Sequence, residues 1–202
     1  MKKLLLLLVL LTVNLAFSQK RFESKKYGFS IEEPYNWQIA NNDDVLKNLD
    51  KYDLTDEALN ELLKKNKGSI LLTSFYKYET NKHAGLIPTI KINMRQNPAK
   101  EFSVFKSMIS QSSKGFETVF PDFKYIQEPT EFEISGIKSV FFSGKYTMKA
   151  QNGAEIKIKS RTYAIPYGDY FFQVNFIDGQ TKDDCTEEFD ALVKTIKIET
   201  KK

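Results

Sequence analysis

Three kinds of pattern in the sequence predict an α+β fold with helices packed on an antiparallel sheet. The tight-turn dipeptides Asn152-Gly153 and Gly168-Asp169 join three long β-rich runs, 137–151, 154–167 and 170–178, into a three-strand meander. The runs 29–33 and 89–95 alternate apolar with polar residues. Three other segments repeat apolar residues at helical spacing. Hairpins require antiparallel pairing, and helices beside such a sheet define the α+β class.

In chain order, Phe29-Ser30-Ile31-Glu32-Glu33 reads as a half-buried strand that Pro34 ends, and Trp37-Gln38-Ile39 restarts extended structure. Residues 41–53 are acidic and polar, an irregular or weakly helical stretch. Thr55 caps a helix whose first turn carries Asp56 and Glu57, where acids meet the positive end of the dipole. Ala58, Leu59, Leu62 and Leu63 form its apolar face, and Gly68 closes it behind Lys64, Lys65 and Lys67. Residues 69–78 are β-rich. In 89–95, Ile90, Ile92 and Met94 point one way and Lys91, Asn93 and Arg95 the other. The spacing of Phe102, Phe105, Met108 and Ile109 predicts a helix over 101–111, followed by short strands at 123–128 and 130–134. After the three long strands, Cys185, Phe189, Leu192, Val193 and Ile196 form the stripe of a closing helix, with Asp183, Asp184, Glu187 and Glu188 around its start.

The 202 residues favour one domain. Aromatics make up 13%, with 16 Phe and 10 Tyr, enough for a sizeable core. The net charge is +4, from 30 basic and 26 acidic residues. Setting aside the segment 1–18, which holds Lys2 and Lys3 and no acid, brings the remainder closer still to neutral. Dispersed, nearly balanced charge argues against a nucleic-acid partner. The segment 1–18 has the three parts of a secretory signal peptide: Met1-Lys2-Lys3, the Leu-rich 4–13, and small residues at Ala16 and Ser18 before a cleavage site. The apolar run is shorter than the about 20 residues of a membrane span. The expected organisation is a signal peptide over 1–18 and one α+β domain over 19–202, exported to the periplasm or the exterior, with no transmembrane span in the mature chain.

The opening Tyr27-Gly28-Phe29-Ser30-Ile31, followed by Pro34 and Trp37, resembles that of PsbP-like and Mog1-like domains. The end resembles them too: a long meander, a helix and a short tail, here Thr195-Ile196-Lys197-Ile198. The resemblance implies an α/β/α sandwich around an antiparallel sheet and a mostly non-enzymatic role in binding or assembly. It transfers no catalytic motif.

One Cys (Cys185) and one His (His83) cannot supply an ordinary zinc site. His83 lies in a polar loop without a Ser or Cys motif beside it, so no catalytic residue is assigned. Cys185 reads as a buried thiol, although a helix N-terminus can also lower a thiol pKa. The acids Asp43-Asp44 and Asp183-Asp184-Glu187-Glu188 lack the alternation and Gly turn of a calcium loop. No metal and no cofactor are expected.

The candidate binding residues come from strand register. A two-residue type I′ turn at Asn152-Gly153 pairs Met148 with Lys157, Tyr146 with Lys159, Gly144 with Arg161 and Phe142 with Tyr163. The next hairpin pairs Arg161 with Phe176 and Lys159 with Asp178. One face then carries Lys157, Lys159, Arg161 and Tyr146, with open space above Gly144. This is a candidate anion or acidic-partner site, because Arg offers a planar fork to carboxylates. The alternative is that Arg161 pairs with Asp183 or Glu187 and rims the core. The leading functional expectation is an exported non-catalytic factor with a protein partner in the cell envelope. The rivals are a small-molecule binder with an aromatic-lined cleft and, behind it, a carboxylate-dependent hydrolase. A deep enclosed apolar pocket, converging carboxylates in a cleft or a flat exposed apolar patch would separate the three.

Overall fold

The computed structural model describes residues 20–40, 68–79, 81–150 and 153–199. The expected signal peptide, the acidic stretch 41–53 and the helix over 55–67 lie outside the described residues.

Among the described residues a seven-stranded antiparallel sheet dominates. In chain order its strands are β3 (Gln38–Ala40), β4 (Ser69–Tyr76), β5 (Thr89–Gln96), β6 (Lys124–Ile134), β7 (Ile137–Lys149), β8 (Glu155–Tyr167) and β9 (Tyr170–Gly179). Their order across the sheet is β3-β4-β5-β9-β8-β7-β6. A small second sheet joins β1 (Arg21–Ser24), β2 (Phe29–Glu32) and β10 (Lys197–Ile198) in the order β1-β2-β10. Helix α1 (Phe102–Val119) lies on one face of the large sheet, and α2 (Thr186–Val193), with the small sheet, on the other.

The α2 face holds the main core. Alternation in β5 sends Ile90, Ile92 and Met94 to this face, where they meet Phe176, Val174 and Phe172 of β9. Phe29 and Ile31 of β2 and Phe189, Leu192 and Val193 of α2 close over them. Cys185 and Ile196 are buried with the same stripe, as the periodicity predicts. The α1 face is thinner: Phe105 and Ile109 pack on Val140, Phe142, Ala164 and Phe171.

Two element boundaries differ from the sequence reading. Helix α1 continues past Gln111 to Val119, through Ser112 and Ser113. Ser110 donates to the Lys106 carbonyl and Ser113 to the Ser110 carbonyl, so both hydroxyls are satisfied inside the helix. The helix stops where Phe120, which precedes Pro121, turns extended. The two short strands at 123–128 and 130–134 are one strand, β6, interrupted by register shifts between Tyr125 and Thr130.

The hairpin between β7 and β8 also differs. The Ala150 N–H bonds the Ala154 carbonyl at 2.8 Å, so three residues, not two, separate the paired ends. Gly153 does take positive φ (80°), the position that a three-residue hairpin loop needs. A two-residue turn with both φ positive occurs instead at Ser135-Gly136, between β6 and β7. The register consequently slips by one: Gly144 faces Ser160, Tyr146 faces Ile158, and Arg161 faces Ser143. The β8–β9 register is as the sequence predicts, with Arg161 opposite Phe176 and Lys159 opposite Asp178.

Candidate functional site

Side chains alternate across a strand, so a slip of one residue moves a partner to the other face. The expected cluster is therefore divided. Lys157, Lys159 and Arg161 lie on the α2 face, and Gly144 and Tyr146 on the α1 face. No space opens above Gly144, because the Phe123 ring fills it; a Cβ there would collide with ring carbons. Tyr146 stacks on Phe120 with centroids 4.0 Å apart, and burial pushes its hydroxyl pKa up.

The basic residues on the α2 face are already matched. Arg161 Nη1 donates to Asp178 Oδ1 at 3.0 Å, and its other terminal nitrogen to the Thr186 hydroxyl. Lys159 reaches Asp184 at 2.7 Å and Asp178 at 3.7 Å. The partners of Arg161 are thus Asp178 and Thr186 rather than Asp183 or Glu187. Asp178 is fully buried and also accepts the Cys185 N–H at 2.8 Å. Burial pushes its carboxyl pKa up, while that N–H, Arg161 and Lys159 pull it down. Lys159, with the Thr186 hydroxyl, holds the Asp184 carboxyl well below the usual carboxylate range. This network ties the start of α2 to β8 and β9, and both of its cations are already paired with carboxylates. Lys157 is exposed and stands apart from it. The geometry that motivated an anion site at Arg161 is absent.

The thiol of Cys185 receives a hydrogen bond from Lys77 Nζ at 3.2 Å, and burial raises its pKa. It packs in the core with Phe189, Leu192 and Val193, as its place on the apolar stripe predicts. His83 stacks on Tyr78 at 4.2 Å. Among the described residues no group of three His, Cys, Asp or Glu side chains could hold a metal.

A groove of about 440 Å³ runs along the α1 face, between the helix and β5, β9, β8 and β7. Its apolar walls are Met108, Ile109 and Phe116 from α1 and Phe142, Ala164 and Phe171 from the sheet. The β5–β9 side is polar: Arg95 Nη1 donates to Gln173 Oε1 at 3.0 Å, and Gln173 Nε2 to Asn175 Oδ1 at 3.2 Å. Thr162 donates to that same Asn175 oxygen at 3.0 Å. The Arg95 guanidinium lies 5.9 Å from the centre of the Phe171 ring.

The sequence reading assigns none of these residues to a site. Alternation does put Arg95 opposite the core-facing Ile90, Ile92 and Met94. It does not reveal that β5 pairs with β9, far along the chain, with Asn93 facing Gln173 and Arg95 facing Phe171. That pairing brings Arg95 beside the Gln173 amide and the Phe171 ring.

No protein-family model matches the chain, and no curated protein matches it. Several solved structures are similar to it. One is a protein from Bacteroides thetaiotaomicron, with TM-score 0.47 and 12% identity, covering 92% of this chain and 50% of that one. Another is LpqN of Mycobacterium tuberculosis, described as involved in cell envelope biogenesis: TM-score 0.47, 12% identity, 91% of this chain and 87% of that one. A third is the cyanobacterial PsbP of Synechocystis, with TM-score 0.48 and 8% identity, covering 89% of this chain and 92% of that one. The chain therefore spans half of the Bacteroides protein and most of the other two.

Proposed function

We propose that the chain is an exported, non-catalytic binding protein of the cell envelope that holds its ligand in the groove between α1 and the sheet. The groove itself carries this reading. Its volume lies in the range of small-molecule sites, about 300–1,000 Å³, and an apolar body with a few polar groups at one side is their usual composition. Export rests on the charged start, the short Leu-rich run and the small residues before Gln19. Among the described residues no helix is long and apolar enough to cross a membrane.

A second reading, an assembly factor with a protein partner, draws on one observation. The edge strand β6 exposes Ile126 (55%) and Phe132 (41%). The same strand carries Glu128, Pro129, Glu131 and Glu133 and two register shifts, features that discourage strand addition at an edge. The groove is the better-formed feature.

The neutral fluorophore N-phenyl-1-naphthylamine tests the groove. The mature chain should bind it one to one with enhanced emission. Ser112→Trp places a bulky ring from an exposed position of α1 over the groove and should abolish that binding while leaving the fold intact. Equal binding by both proteins would remove the groove from consideration.

A further inference from the structure

We infer that the groove selects a medium-chain monocarboxylate, with Arg95 as the residue that takes the carboxylate. This rests on the groove being the ligand site and adds the ligand's chemical class.

The chain has three arginines. Arg21 pairs with Glu32 at 3.3 Å, and Arg161 with Asp178 at 3.0 Å. Arg95, among the described residues, meets no carboxylate; its side-chain partners are the Gln173 amide oxygen and the Phe171 ring. A guanidinium has five N–H donors in a planar fork that fits a carboxylate. The neighbouring amide oxygens are neutral and already engaged, Gln173 Oε1 by Arg95 itself and Asn175 Oδ1 by Thr162 and Gln173. Among the described residues, the polar side of the groove thus presents one positive charge without a carboxylate partner, and no negative charge.

The rest of the groove dictates the other end of the ligand. Phe142, Ala164 and Phe171 below and Met108, Ile109 and Phe116 above are its apolar walls; beside Arg95 and Gln173, the polar side chains of the lining are Gln96, Ser112 and Thr162, none of them charged. A peptide lying there would leave backbone N–H and C=O groups unpaired against apolar walls, which is costly. An alkyl chain loses nothing by the same burial and gains the hydrophobic term for every methylene. A charged head beside Arg95 with an alkyl body running toward Phe116 satisfies both parts.

The test measures displacement of N-phenyl-1-naphthylamine by decanoate and by decanol, at neutral pH and below the concentrations at which either self-assembles. Decanoate should displace the probe at about a tenth of the decanol concentration or less, the advantage a charge-assisted hydrogen bond confers. Arg95→Gln should bring the two to parity, each competition being scaled to that variant's own affinity for the neutral probe. Arg95→Lys, which keeps the charge and loses the fork, should fall between. If the probe binds the wild type but decanoate and decanol compete equally, or if Arg95→Gln leaves the preference intact, the carboxylate assignment is wrong and the groove reading survives. A short apolar peptide that competes better than decanoate also overturns it. If the probe does not bind at all, the groove reading fails first, and this inference with it.

Discussion

At the scale of single residues, Gly144 is defined by what it leaves out. The Phe123 ring lies directly over it, wedged by Tyr125 at 4.9 Å and Phe116 at 5.4 Å between ring centres. Its neighbours therefore leave the ring little room to retreat. Gly144→Ala should destabilise the protein by about 1–3 kcal/mol in urea unfolding, the usual cost of overpacking. The same change in a Phe123→Ala background should cost almost nothing, because the added methyl then enters the space the ring vacated. Additive losses would mean that the ring does not sit on the strand. The sequence shows Gly144 inside a strand, a common sign of close approach, but not what approaches. Arg161 illustrates the complementary problem. Its place on β8 and its partner Phe176 are legible from a two-residue hairpin, whereas Asp178 and Thr186, its actual ligands, depend on how α2 settles on the sheet.

At the scale of elements, one residue in a loop decides which face half of a candidate site occupies. Asn152-Gly153 favours a two-residue turn, and the chain instead places Gly153 as the left-handed residue of a three-residue connection. The antiparallel pairing of β7 with β8 survives this change; the grouping of Gly144 and Tyr146 with Lys159 and Arg161 does not. Cysteine pairs distinguish the two registers. Thr147 and Lys157 are direct cross-strand partners. Thr147→Cys with Lys157→Cys should form a disulfide under mild oxidation, and Met148→Cys with Lys157→Cys should not, since the latter pair points to opposite faces. Native Cys185 is buried and does not compete. The reverse pattern of cross-linking would restore the two-residue turn and the undivided basic cluster. Local signals of this kind, caps, alternation and turn dipeptides, make strands and helices legible. The β5–β9 pairing that builds the groove joins distant segments, and no local signal announces it.

At the scale of the whole molecule, the two faces of the large sheet are closed to different degrees. The α2 face is closed by a continuous apolar core and by the buried Asp178 network that fixes the start of α2. Among the described residues the α1 face is covered by α1 alone, anchored through Phe105 and Ile109, with the groove open beside it. A rigid core behind one face and an accessible cleft on the other suit a binding protein, whose site should be held by a scaffold it does not disturb. Mapping the bound probe onto the backbone tests this most directly. In a heteronuclear NMR titration of the isotope-labelled mature chain with N-phenyl-1-naphthylamine, the largest shifts should fall on Met108, Ile109, Phe116, Ala164 and Phe171, with the α2 face unmoved. Shifts centred on Ile126 and Phe132 of β6, or spread without pattern over both faces, would contradict a ligand held in the groove.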